Sequence, residues 1–356
     1  MRAIMLCSLM RKLNYYLLTL AVLAFVVITE ASAQSLNSPY LNKVYEYVPA
    51  PGQFINTMPE WEDGDDAGTM AAKCTELLAD EGMICLGGFG GYVTFGFDHP
   101  VVNVAGEYDL YIMGNAFAGT GQTDAGSSEP GIVMVSQDTN GNGLPDDEWY
   151  ELSGSADIDS VGKVVYNYGI TYKYAGEKKP IAWTDNQGGK GVMVRNAYHD
   201  QEYFPAWLTS AGSLTFTGTL LPKNMYKDSE TGQFVMKFLR YGYVDNQPNL
   251  IDGRKNKACC FNLDWAVDHE RQPVKLSQID FVRVYCAMNQ INGLLGETST
   301  EFAGAEDLHP SAVPTAVVDI EASSAPETVV YYDLTGRRTG MNAKGVHIRN
   351  GKLVVR

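Results

Sequence analysis

Positive charge is what this 356-residue chain has least of: 27 Lys and Arg stand against 42 Asp and Glu, a net charge of −15. Nucleic acids and anionic membrane surfaces need a positive face, so both are poor partners. Calcium and neutral or cationic ligands remain open, and solubility outside a cell by itself accounts for an acidic surplus. Long apolar runs are equally scarce. The longest spans residues 13–27, is interrupted by Asn14, Tyr15, Tyr16 and Thr19, and stops at Thr29-Glu30, which argues against a transmembrane anchor. Arg2, Arg11 and Lys12 precede it and Ala31-Ser32-Ala33 follows, the layout of a secretory signal peptide over residues 1–33. The mature chain is then expected to begin at Gln34, with 24 basic against 41 acidic residues and a net charge of −17. Cys7 lies ahead of the apolar run, not at the cleavage point, which argues against a lipid-anchored terminus.

Cysteine is sparse. Five remain after the leader, Cys74, Cys85, Cys259, Cys260 and Cys286, and none has zinc-site spacing or the surroundings of a nucleophile. An exported protein can form disulfides, and Cys74 with Cys85 is the best pair; the odd count leaves a thiol over. Catalytic signatures are also missing. There is no serine elbow and no zinc-type histidine pair, and Gly87-Gly88-Phe89-Gly90-Gly91 lacks the lysine of a phosphate loop and leads into a strand. Carboxylates are plentiful near the end of the body: Asp264, Asp268, Asp280, Glu297, Glu301, Glu306 and Asp307. Two on one face would serve as acid and base for polysaccharide cleavage if one is held protonated, although acids this dense in a β protein more often bind calcium or cap turns.

What the chain does have is glycine, tyrosine and short apolar alternations. With 36 Gly and 21 Tyr, and strand-like runs near residues 92–97, 108–113, 132–135, 213–217, 234–241 and 279–285, the chain reads as all-β. One helix is predicted over residues 67–80, where Met70, Cys74, Leu77 and Leu78 share a face. No parallel βαβ rhythm appears, so an antiparallel two-sheet sandwich is the expected architecture for a body of residues 34–308. Residues 309–328 read as a Pro/Ala/Ser/Thr-rich linker, and 329–356 as a small β module too short for a core of its own.

The most informative motif is Asp138-Thr-Asn-Gly-Asn-Gly-Leu-Pro-Asp-Asp-Glu-Trp149. Oxygen side chains at the first, third, fifth and ninth places, with glycine at the sixth, are how a short loop surrounds a hard cation. Asp138, Asn140, Asn142, Leu144 through its carbonyl, Asp146 and Glu148 are the candidate calcium ligands. Trp149 occupies the place where an EF-hand has its closing Glu, and the flanks are strand-like; a metal-free Asn/Gly hairpin is the plainer alternative.

A second cluster, Trp183, Asp185, Asn186, Gln187, Tyr198, His199, Tyr203 and Trp207, mixes aromatic faces with amides, as a sugar or flat macrocycle requires. Core packing explains any single one of these aromatics equally well. His199 is also a potential metal donor, though a structural histidine is the commoner outcome.

Two resemblances follow. The tail, Tyr332-Asp-Leu-Thr-Gly-Arg-Arg338 and Gly345-Val-His-Ile-Arg-Asn-Gly-Lys352, resembles the C-terminal sorting element of surface proteins exported by gut-dwelling Gram-negative bacteria. The body resembles a family known only as cell surface proteins of the same bacteria, through Tyr45-Glu-Tyr-Val-Pro-Ala-Pro-Gly-Gln-Phe-Ile-Asn56, Leu86-Gly-Gly-Phe-Gly-Gly91, Phe95-Gly-Phe-Asp-His-Pro100, Gly114-Asn-Ala-Phe117, Ser128-Glu-Pro-Gly131, Trp183-Thr-Asp-Asn-Gln187 and residues 296–307. That resemblance implies a jelly-roll-like sandwich and, for some members, a place beside outer-membrane corrinoid (cobalamin) uptake receptors. The resulting expectation is an exported, calcium-stabilised surface protein that captures a corrinoid or a glycan. A polysaccharide-cleaving enzyme and a structural adhesion module are the alternatives.

Overall fold

A computed structural model describes residues 37–196, 198–229, 232–292 and 296–313, and the backbone of 331–332, 338–339, 346–349 and 352–355. The proposed leader lies outside these residues. The chain divides into two compact units, Met1–Pro314 and Thr315–Arg356.

In the first unit the secondary structure is mostly β, and the pairings among its described strands are antiparallel. Six of them form the principal sheet, in the order Lys43–Val48, Tyr92–Gly96, Phe281–Cys286, Gly131–Ser136, Trp149–Leu152 and Ala266–Val267. All five pairings are antiparallel. Alternation decides the two faces. Val93, Phe95, Val282, Val284, Val133 and Val135 point inward and are buried with Met70, Cys74 and Leu78 of the helix Ala67–Ala79. The other face carries a row of aligned partners running Glu46, Thr94, Arg283, Met134, Glu151 and Val267 across all six strands.

The helix begins where the sequence places it. Asp66 accepts from the Thr69 N–H at 2.8 Å, satisfying one of the donors that a helix start leaves unpaired. Thr75 Oγ1 takes the Val44 N–H at 3.0 Å, so the helix serves the edge of the sheet as well as covering its face.

A second core gathers Phe89, Tyr168, Ile170, Tyr172, Ile181, Met193, Tyr203, Phe204 and Phe216 under the four-stranded sheet Lys190–Met193, Ile181–Asp185, Val165–Lys173 and Ser213–Leu220. The glycine run beside it is explained by close approach: at Gly87, φ +70°, an added Cβ would lie 1.9 Å from the Ala50 carbonyl oxygen, and at Gly90 2.2 Å from Phe216 Cβ. These glycines let backbone and core meet.

The antiparallel, mostly β class holds, but the strands are more divided than two continuous sheets. Among the described residues those of this unit fall into one six-stranded, two four-stranded and one three-stranded sheet plus three two-stranded ribbons. The physical reason is strand length: many runs that alternate in sequence are cut to two to four residues by left-handed glycines and turns, too short to extend a common layer. The expected Cys74–Cys85 disulfide is also absent; all five described cysteines are buried free thiols, and Cys85 Sγ lies 2.9 Å from Ser299 Oγ. No helix among the described residues is long and apolar enough to cross a membrane.

The second unit is a four-stranded antiparallel sheet in the order Arg338–Thr339, Tyr331–Tyr332, Val346–Arg349 and Lys352–Val355. Arg349 pairs with Lys352 across the Asn350-Gly351 dipeptide.

Candidate functional site

The Asp138 loop connects two neighbouring strands of the principal sheet, Gly131–Ser136 and Trp149–Leu152. Its side chains turn inward. Asp138 Oδ1 and Oδ2 accept the N–H groups of Asn142 and Gly143 at 3.1 and 2.9 Å. Asn140 Oδ1 takes the Asn142 N–H at 2.9 Å and Asn142 Oδ1 the Leu144 N–H at 2.7 Å. Asp146 closes the ring, accepting from the Asn140 amide at 3.1 Å and from the Asn142 amide at 3.0 and 3.1 Å. The Asn142 amide, and after it the Asn140 amide, hold the Asp146 carboxyl below the usual range. Gly141 and Gly143 supply the left-handed backbone, φ +71° and +72°.

Four predicted ligands are therefore brought together. Leu144 keeps its side chain in solvent. Glu148 departs, receiving the Tyr150 hydroxyl at 3.1 Å. Asp147 turns back instead, taking the Thr139 hydroxyl, and its Oδ2 is buried without a partner. Asp280 anchors the loop by accepting the Asp138 N–H at 2.8 Å; burial, then the charges of Asp138 and Asp147, raise its pKa. This donor set, carboxylates and amide oxygens with no sulfur or imidazole, fits a hard cation such as calcium.

The loop adjoins two recesses. Leu144, Pro145 and Asp146 face Lys43, Tyr45 and Glu46 across an open hollow of about 380 Å³. On the far side of Trp149 lies a cleft of about 180 Å³ between the principal sheet and the four-stranded one, with Met134, Glu151, Tyr166, Asn167 and His269 among its walls. Arg283 touches one wall residue of each, Glu46 and Trp149. It donates to Glu46 at 2.6 Å and Thr94 at 2.8 Å, and its guanidinium stands 4.4 Å from the Tyr92 ring centre and 4.3 Å from that of Trp149. In the cleft, Arg271 bridges Glu151 and Asp157 and lies 4.7 Å from the Tyr166 ring. Glu151 also accepts from Thr219 at 2.8 Å and Tyr285 at 3.2 Å. Arg271 is thus engaged by two carboxylates, and the cleft offers aromatic surface and hydrogen-bonding edges beside them.

The aromatic segment is dispersed. Tyr203 is in the second core and Trp207 stacks on Tyr47 at 5.7 Å in the main one. Trp183 packs against the second core and lies over Gly191. Asp185, Asn186 and Gln187 build a hairpin turn in which Asp185 accepts the Gln187 N–H at 3.0 Å. His199 meets Phe54 edge-on at 4.9 Å. Tyr198 is 79 % exposed. One member reaches the cleft indirectly: Asn186 donates at 2.7 Å to the carbonyl of Asn167.

The late carboxylates separate too. Asp264 receives the Asn103 amide at 3.0 Å, Asp268 caps a turn, Glu306 pairs with Lys255, and Asp307 holds His99 at 2.7 Å. Glu297 and Glu301 are buried. Glu301 joins Glu129 and Asp245, with one oxygen of each within 4.8 Å of the others. Asp245 accepts the N–H groups of Asn115 at 2.7 Å and Glu301 at 2.9 Å; Glu129 accepts that of Ser299 at 3.3 Å. Burial first, and then mutual repulsion, pushes the Glu129 and Asp245 carboxyls well up. Burial pushes Glu297 and Glu301 to about 7. Two charges at this spacing repel by about 3 kcal/mol at an effective dielectric of ~20. Sequence reasoning missed Glu129 and Asp245. The available signal was that Glu297 and Glu301, four apart in an extended stretch, share a side.

Comparison with known protein families found no family model that matches the chain, and comparison with curated proteins found no match.

Proposed function

We propose that the chain is an exported, surface-associated ligand-binding protein whose recognition surface is stiffened by calcium in the Asp138 loop. The observation that carries this reading is the convergence of Asp138, Asn140, Asn142 and Asp146 beside the hollow that Leu144, Pro145 and Asp146 line, with Arg283 touching both Glu46 of that hollow and Trp149 of the neighbouring cleft. Calcium would neutralise acids that otherwise repel and draw the loop into one shape. Asp147, with its buried unpartnered oxygen, supports the closing role better than Glu148. Trp149, Tyr166 and Tyr45 give stacking area, and Glu151, Asn167 and His269 give hydrogen-bonding edges, the combination that suits hydroxylated rings or the rim of a corrinoid.

The signal-peptide-like leader and the sorting-type tail of the sequence support a position at the outer surface, beside an outer-membrane receptor. Its test is calorimetric titration of the calcium-loaded mature chain with cyanocobalamin, together with a glycan array. Saturable binding to either, lost on chelation, is the expected outcome; no binding to either, with calcium bound, overturns it.

A further inference from the structure

We propose that the recess beside the strand Phe234–Lys237 is a second binding site, one for a small organic anion: a carboxylate, sulfonate or phosphate carried on an apolar ring or short chain. The recess holds about 300 Å³, with Lys223, Lys237, Tyr226, Met225, Phe238 and Leu239 in its walls. None of its wall residues lines the cleft or the hollow near the Asp138 loop. Two lysines in one recess are out of keeping with a chain of net charge −15. Among the described residues the lysine ion pairs are those of Lys73, Lys178 and Lys255, so neither Lys223 nor Lys237 is paired with an acid. An ammonium group without a counter-charge beside apolar surface attracts an incoming anion more strongly than it would in bulk water.

The walls are fixed from beneath. Lys237 donates its N–H to the Asn224 carbonyl at 2.9 Å, and the Asn224 side-chain amide donates to the Lys237 carbonyl at 3.2 Å, so the two segments that carry the lysines are tied to each other. Asn224 is held in turn by Gln290, which accepts its N–H at 3.1 Å, and by the Ser128 carbonyl, 3.0 Å from its amide. Gln290 and Ser128 are buried. Buried Asn246 clamps Leu239, accepting its N–H and donating to its carbonyl, each at 2.8 Å. Hydrogen-bonded buried amides rigidify what they support, so the recess loses little freedom when a ligand enters. A lysine ammonium is a point charge without the planar fork of arginine, and it takes carboxylate, sulfonate and phosphate alike. Met225, Phe238 and Leu239 then select an apolar body, and the half-exposed Tyr226 gives that body a ring to lie against.

The experiment titrates the full mature chain, in calcium, with naphthoate and with its uncharged amide, naphthamide, and follows binding by ligand-observed NMR. One saturable site that holds naphthoate at least about tenfold more tightly than naphthamide is the expected result. Lys223→Gln and Lys237→Gln replace exposed side chains, keep the wild-type melting temperature, and are each expected to weaken naphthoate binding about fivefold. Added salt is expected to bring the two probes together, because the discriminating charges are exposed. Asp138→Ala is expected to leave naphthoate binding unchanged, which separates this site from the calcium-stiffened surface. Equal affinity for the two probes, or no saturable naphthoate binding, overturns the proposal. Naphthoate binding that survives both lysine variants unchanged but is lost in Asp138→Ala overturns it as well, and moves the probe to the Asp138 side of the molecule.

Discussion

The Asp138 loop and the Glu129 cluster are both rich in acid, yet they manage charge in opposite ways. In the loop, Asp138 and Asp146 have amide or N–H donors from within a dozen residues, and water is at hand. In the interior cluster the acids face one another, and burial raises every pKa. The difference teaches that spacing in sequence announces a site only when the chain closes on itself locally. Where a fold brings distant stretches together, the same chemistry leaves little local trace.

The largest expected effect separates the two by pH. Glu297 and Glu301 have folded pKa values near 7, above their unfolded value near 4.5, so the native state holds their protons longer. Their contribution to stability is therefore fully present below about pH 4.5 and is lost as pH rises through 7. For the calcium-depleted chain, Glu297 alone accounts for about 3 kcal/mol across that window. Urea midpoints measured in chelator between pH 4.5 and 7.5 are expected to fall, and Glu297→Gln to flatten the fall. A rise over the same range would break the contrast. Asp146 has the opposite sign: its lowered pKa gives stability present above the unfolded value and lost only as pH falls through the folded one.

The next effect is on the loop. Asp138→Ala strands the N–H groups of Asn142 and Gly143 and is expected to cost about 1–2 kcal/mol in calcium, read as a lower melting temperature. Smaller again, Trp149→Ala is expected to weaken ligand binding about tenfold, roughly 1.4 kcal/mol, without unfolding the chain. Tyr198→Ala is expected to leave affinity unchanged; the reverse order would move the recognition surface to the 183–207 segment. The least effect is expected at the thiols. All five are buried, and burial pushes those of Cys259 and Cys286 up to about 12. A thiol reagent should therefore label the native mature chain negligibly and count five on denaturation.

Legibility followed locality throughout. The helix was readable from the spacing of Met70, Cys74, Leu77 and Leu78, and it ends within one residue of expectation. The all-β class followed from alternation, and four of the six predicted loop ligands converge because the loop is self-contained. Layering was not readable. Alternation says which residues share a face, as with Glu46, Thr94 and Arg283, but not where glycines cut strands short or which sheet receives the next one. The aromatic segment misled for a related reason: Tyr203 and Trp207 have the composition of a binding surface, and long-range packing, Trp207 on Tyr47 and Tyr203 in the core of Phe89 and Tyr172, assigns them to cores. Conversely, Trp149 and Tyr166 become neighbours of one cleft only through the pairing of two sheets.

The most direct measurement is the melting temperature of the mature chain and of Asp138→Ala, each with calcium and with chelator. The account predicts that calcium raises the wild-type value well above that in chelator and that Asp138→Ala gives up a substantial part of the rise. Superimposable curves for the wild type in the two conditions would contradict it.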